Sequence, residues 1–327
     1  MRPETCHLTE NLDDFLTRTE GFLHSRPALH NTPLTVIEKL RRRPAADGAG
    51  ATALGRPGSG GKATIPGRPG SGGKATVPGR PEAAGEKIVF GWLEREGEVC
   101  AIFYLHQSVR LSITPLSTGQ ADVLAAYLAG LGQPLTRVTA EDNTATAFAE
   151  AWQRRTNAAP ALTQPLHLYR LDTLTPPEPR PEGRGRVVGE RDRAQLIHLC
   201  REFVTAVGEV PAVDADSWAS SRFADRHFTF WETPDGTPVS MAAVTSMVAG
   251  MVRVDPVYTP ALFRGHGYAG AVTAEVSRAA LAAGAKDVVL YTNPANPTSN
   301  ALYQRIGYVP LTDFAVYDFS YDRPKTG

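Results

Sequence analysis

A chain of 327 residues with 34 basic and 34 acidic side chains and 42% hydrophobic residues is long enough for two ordinary domains and too apolar to be disordered throughout. The charge balance excludes the overall basic excess of a general nucleic-acid binder, so nucleic acid is not an expected partner. Three scattered cysteines, Cys6, Cys100 and Cys200, a start without a signal peptide and no apolar run near the ~18 residues of a membrane span predict a cytoplasmic protein with no membrane partner, no disulfide framework and no metal site.

In chain order, residues 9–24 and 32–43 read as helices, Leu12, Phe15, Leu16 and Phe22 sharing one side of the first. From Pro44 to Lys87 the composition changes to 12 Gly and 6 Pro in 44 residues, and GRPGSGGKATIP (55–66) is repeated at once as GRPGSGGKATVP (67–78). So little apolar surface cannot offset the ~1–2 kcal/mol per residue of backbone entropy lost on ordering, so this stretch is expected to be a flexible insertion. Its basic residues, Arg56, Lys62, Arg68, Lys74 and Arg80, leave a tether for an anionic surface as the lesser reading. Order resumes with a hairpin (88–92 and 99–106), a strand at 109–113, helices at 120–131 and 142–155, and a closing strand at 166–171. Phe148 and Trp152 lie four apart on one helix face. The proline-rich stretch 173–186 reads as a stiff linker and the boundary between an N-terminal domain (1–43 and 88–172) and a C-terminal one (187–327).

Beyond the linker, helices are expected at 190–207 and 214–224, then a hairpin (228–232 and 239–248) across the turn signal Asp235-Gly236. A strand at 251–258 follows, then a helix at 267–283 stopped by Gly284, an apolar strand at 288–292, a helix at 297–306 stopped by Gly307 and a last strand at 308–319. The informative segment is the loop between the strand at 251–258 and its helix, Arg264-Gly265-His266-Gly267-Tyr268-Ala269. Glycines allow close backbone approach, and first-turn N–H groups with the helix dipole favour a diphosphate, to which Arg264 adds charge. Gly265 to Gly270 also spells GxGxxG. The dinucleotide reading, however, needs the first glycine directly after a strand and an acid ending the next one; Pro260–Arg264 intervene and Asp287 precedes its strand.

Arg264-x-x-Gly267-x-Ala269 resembles the Arg/Gln-x-x-Gly-x-Gly/Ala signature of the GCN5-related N-acetyltransferases. Asn296-Pro-Thr-Ser-Asn-Ala-Leu-Tyr303-Gln-Arg-Ile-Gly307-Tyr308 resembles that family's second block at the expected distance. The motifs cover about 250–310 and the element order extends the likeness to about 187–320. The resemblance implies an α/β (α+β) fold, a mixed, mostly antiparallel sheet flanked by helices. It implies two such domains in tandem, the first a degenerate copy without the arginine-glycine loop.

The resemblance also implies roles. Gly265, His266, Gly267, Tyr268 and Ala269 would cradle the diphosphate of acetyl-CoA beside Arg264, Val257 and Tyr258 would pair with its pantetheine, and Asn296 would touch that arm. Tyr303 would protonate the leaving thiolate, a role suited to a phenol in thioester aminolysis. An ammonium of pKa near ~10.4 must also lose a proton, for which Asp255, Glu232 and Glu209 are the candidate bases. Capping alone explains Asn296 before Pro297, and packing alone would explain Tyr303. The expected activity is transfer of an acetyl group from acetyl-CoA to an amine of a small molecule. A protein amino group as acceptor, or a non-catalytic acyl-CoA-binding module, are the alternatives.

Overall fold

The structure, a computed structural model, describes residues 4–42, 87–107, 109–207 and 226–321. The insertion with its duplication (44–86), the helix expected at 214–224 and Glu209 lie outside the described residues.

The first half runs β1 (Thr5–Thr9), α1 (Leu12–Ser25), α2 (Asn31–Arg42), β2 (Ile88–Arg95), β3 (Glu98–His106), β4 (Arg110–Ile113), α3 (Thr118–Gly130), β5 (Arg137–Glu141), α4 (Asp142–Thr156) and β6 (Ala159–Leu171). The second runs β7 (Arg184–Val187), α5 (Arg193–Val207), β8 (Arg226–Glu232), β9 (Pro238–Thr245), β10 (Met251–Tyr258), α6 (Tyr268–Ala282), β11 (Asp287–Thr292), α7 (Pro297–Arg305) and β12 (Tyr308–Ser320). Local chemistry accounts for several of these boundaries. Asn11 caps α1 by accepting from the amides of Asp13 and Asp14, which places Phe15, Leu16, Thr19 and Leu23 on its buried face. Glu96 and Gly97, both at positive φ (56° and 82°), make the tight reversal between β2 and β3.

The twelve strands of the described residues form one sheet, in the order β1-β2-β3-β4-β5-β12-β6-β11-β10-β9-β8-β7. The two halves therefore exchange their closing strands. β12, from the second half, lies between β5 and β6 of the first, and β6 lies between β12 and β11. The exchanged pair runs antiparallel from Tyr308↔Leu171 to Ser320↔Ala159. The tandem that the resemblance implies takes the form of a single continuous sheet, in which the strands of the second half repeat the strand order of the first. α3, α4, α6 and α7 cover one face, and α1, α2 and α5 the other. The cluster under α1 and α2 includes Leu168 of β6, Met251 of β10 and Val289 of β11, so helices of the first half roof strands of the second.

The segment joining the halves is a strap. The amides of Asp172 and Thr175 donate to the carbonyls of Gly307 and Ile306 (both 3.0 Å), Trp231 Nε1 donates to the Glu182 carbonyl (2.9 Å), and the Arg180 guanidinium lies 5.3 Å from the Trp231 ring centre. In between, Pro177 and Pro181 pack on Gly270 and Gly267 at the head of α6. The strap also explains Gly307, whose φ is 102° and where a Cβ would fall 1.8 Å from the Thr173 carbonyl oxygen. Gly307→Ala is expected to destabilise the protein by about 3 kcal/mol or more, since left-handed strain adds to a backbone clash. Chemical denaturation of the two proteins measures it; a difference under about 1 kcal/mol would show that the strap yields.

Candidate active site

β10 and β11 run parallel in register from Met251↔Asp287 to Val254↔Leu290 and then part. β10 carries a bulge between Val254 and Val257, after which Val257↔Ala242 and Tyr258↔Met241 keep it on β9. Asp255 to Tyr258 thus turn an unpaired backbone edge toward β11, where an extended ligand can add as a strand. The end of β10 is riveted by Ser240, whose hydroxyl donates to the Tyr258 carbonyl (3.1 Å) and lies 2.8 Å from Thr259 Oγ1.

The chain then turns through Pro260 and a short 3-10 turn at Ala261–Phe263 into α6. Arg264 Nε donates to the Thr259 carbonyl (3.1 Å) and His266 Nδ1 to the Arg264 carbonyl (2.9 Å), while the His266 ring stacks on Tyr268 at 5.6 Å. These contacts shape the loop; Gly265 (φ 83°) and Gly267 (φ 80°) take the left-handed conformations it needs. Gly267 is the N-cap of α6 and offers no side chain to the first turn. The helix cannot satisfy those N–H groups internally, so they and the dipole face outward beside the unpaired edge of β10.

α7 starts at Asn296, whose Oδ1 accepts from the Ser299 amide (3.1 Å), with Pro297 at the first helical position. Asn296 is therefore observed as a cap. Tyr303, on the same helix, packs against Tyr308 edge-on at 6.1 Å. Tyr308 is itself fixed by its hydroxyl on Ser277 Oγ (2.7 Å), which donates onward to the Thr273 carbonyl. Among the described residues the Tyr303 hydroxyl has no hydrogen-bond partner. Burial first, and the charge of Asp255 second, push its pKa well above the ordinary tyrosine value. Asp255 accepts from Arg226 Nη2 (2.7 Å). The structure thus brings Val257, Tyr258, the 264–269 loop, Tyr303 and Asp255 to one wedge between β10 and β11.

Residues 241–314, which span this wedge, match the family model described as FR47-like protein. Among solved structures, a tandem GNAT protein from the clavulanic acid biosynthesis pathway, solved without AcCoA, aligns over 99% of this chain and 100% of its own at a TM-score of 0.53 and 12% identity. A GCN5-related N-acetyltransferase from Sphaerobacter thermophilus aligns over 75% of this chain and 83% of its own (TM-score 0.50, 19% identity). No curated protein matches the sequence significantly. This is a GCN5-related N-acetyltransferase fold, in tandem.

The two GNAT copies differ where a cofactor would enter. In the first copy β4 and β5 also stop pairing, after Ser112↔Thr139. There the loop is stapled across the gap, the Leu116 amide donating to Thr144 Oγ1 (2.9 Å) at the start of α4. The head of α3 carries a complete capping box, Ser117 serving the Gln120 amide and Gln120 the Ser117 amide. Its first turn is closed by its own side chains, whereas that of α6 is open.

Of the candidate bases, Glu232 does not line the wedge as a disengaged carboxylate. It is buried (6% exposed) and accepts from Arg186 Nε (2.5 Å), which also grips Asp192 at 2.7 and 3.0 Å. Arg186 pulls Asp192 down to about 2. That cluster fastens β7 and the turn at 190–192 to β8, which is a structural use of Glu232. Sequence reasoning passed over Glu202 on α5. Its carboxylate lies beside the Tyr258 phenol, which burial and then Glu202 shift upward in pKa. An acid in a mixed helix reads as a solvated face, and only the packing of α5 on the end of β10 (Phe203 against Tyr258 at 6.1 Å) turns it inward.

Proposed function

We propose that the chain transfers an acyl group, acetyl in the first instance, from acyl-CoA to the amine of a small molecule by direct attack within a ternary complex. The observation that carries this reading is the uncapped head of α6 set against the unpaired edge of β10, with the Tyr303 hydroxyl in the same wedge unpartnered among the described residues. The 264–269 amides and Arg264 hold the diphosphate of the co-substrate, and Val257 and Tyr258 hold its pantetheine arm as an added strand. Asp255, on the opposite side of the reacting carbon and itself held by Arg226, draws in and orients the amine, whose proton leaves through water beside it. The amine nitrogen forms a bond to the thioester carbonyl carbon, the carbon–sulfur bond breaks, and Tyr303 gives its proton to the departing sulfur.

Release of free thiol from acetyl-CoA in the presence of an amine panel tests the reading. Amine-dependent release supports it; tight acetyl-CoA binding with no release on any amine would leave a binding module instead. The stapled and capped first copy predicts a second result. Calorimetric titration should give one acetyl-CoA per chain, and two equivalent sites would show that the Leu116–Thr144 staple opens.

A further inference from the structure

Next to the wedge, on the face roofed by α1 and α2, the second copy holds a guanidinium that no carboxylate among the described residues balances. Val252 and Val254 of β10 point into the cluster under α6, so Arg253 points to the opposite face; Asp255, at the bulge two positions on, is held toward that face by Arg226 of β8. Arg253 Nη1 donates to Asn31 Oδ1 (3.2 Å) and reaches Thr32 Oγ1 (3.5 Å), both on α2 of the first copy. The orientation of Asn31 is fixed: its Nδ2 donates to the Ala28 carbonyl (2.7 Å) and to the Tyr291 hydroxyl (3.1 Å), leaving Oδ1 for the arginine. Arg253 Nε is shut off from solvent with no acceptor among the described residues. The neighbouring cation on this face, Arg226, is matched by Asp255; Arg253 is not matched by any acid among the described residues.

A guanidinium stays charged at every accessible pH, and neutral acceptors return only part of the hydration lost on burial. Arg253 is half-buried, so the part of its side chain still open to solvent can take an anion in addition to its two neutral acceptors. We infer that the acceptor amine carries a carboxylate, which Arg253 takes, held at the angle set by Asn31 and Thr32. This rests on the acyltransferase reading and names the class of its acceptor: a small amino acid. Two residues of strand span about 6.6 Å, so a molecule with its carboxylate on Arg253 and its amine turned toward Asp255 has the two groups a few bonds apart. The first copy then has a part in the reaction without binding co-substrate, since it supplies the two side chains that aim Arg253.

The test uses the full-length protein, acetyl-CoA and matched amines with and without the carboxylate: glycine and methylamine, β-alanine and ethylamine, 4-aminobutyrate and propylamine, L-lysine and cadaverine. In the best pair the carboxylated member is expected to have a kcat/KM about ten- to a hundred-fold higher, the range of one charge-assisted contact. Arg253→Met should erase that preference by raising KM for the carboxylated member, with kcat and acetyl-CoA affinity within a few-fold of the original, and Arg253→Lys should restore part of it. Asn31→Asp, which gives Arg253 an internal carboxylate, should depress the carboxylated amines in the same way and spare the plain ones. Equal use of both members in every pair, turnover of plain amines alone, an equal loss on both members in Arg253→Met, or acetyl-CoA binding with turnover of neither kind would each overturn the inference. Should a variant fail to fold, the comparison in the unaltered protein decides alone. Failure of the unaltered protein to bind acetyl-CoA is the separate outcome that removes the acyltransferase reading itself.

Discussion

Gly267→Asp should abolish acetyl-CoA binding while the protein stays folded. The residue sits at φ 80°, a conformation that aspartate tolerates better than most side chains, at a cost of about 1–2 kcal/mol. Space is available, since an added Cβ meets nothing nearer than Pro181 Cγ at 3.8 Å. The new carboxylate, however, stands at the open head of α6. Two like charges about 4 Å apart near a protein surface repel by roughly 4 kcal/mol, which is about a thousand-fold in affinity. Titration calorimetry with acetyl-CoA measures the loss, and the melting temperature without ligand reports the fold. Gly267→Ala separates charge from backbone, because it carries the strain without the anion and should lose far less. An aspartate variant binding within three-fold of the original would mean that the diphosphate lies elsewhere.

Tyr303→Phe is the second large effect, a fall in kcat of about a hundred- to ten-thousand-fold with acetyl-CoA affinity unchanged. The substitution leaves the ring against Tyr308 and removes only a hydroxyl that has no partner among the described residues, so the fold has little to lose. The direction of the pKa shift gives a further check. A tyrosine ordinarily ionises near ~10, and burial with Asp255 nearby moves Tyr303 higher. Below about pH 10 it therefore remains protonated and able to donate, so its ionisation should add no falling limb to the pH profile of kcat there. A variant that keeps the full rate would remove Tyr303 from the chemistry.

The elements that fix the wedge were readable in the sequence because each has a strong local cause. The Arg264–Ala269 loop is punctuated by glycine, α6 ends at Gly284, and Asn296 with Pro297 opens α7. What could not be read depends on partners distant in the chain. β1, β5 and β7 were missed, each being four or five residues long with only partial burial. The first part of β6, Ala159-Pro-Ala-Leu-Thr-Gln-Pro165, reads as a loop because of its two prolines. It is a strand because β12 pairs along its whole length while β11 reaches only His167 to Arg170, which leaves an open edge where a missing N–H does no harm. Glu232 looked like a candidate base because its strand was placed correctly, and only the approach of Arg186 from β7 revealed its use. Arg253 drew no notice at all, for its meaning depends on Asn31, more than two hundred residues earlier.

The traded strands also govern how the polypeptide can be made. As the nascent chain leaves the ribosome, β5 has no neighbour on its inner side until β12 has been synthesised, long after the rest of the first half. That half must wait with an exposed edge, which exposes it to aggregation and slows its closure. Expressing either half alone should yield insoluble material, whereas co-expressing the two as separate polypeptides gives each the strand it lacks.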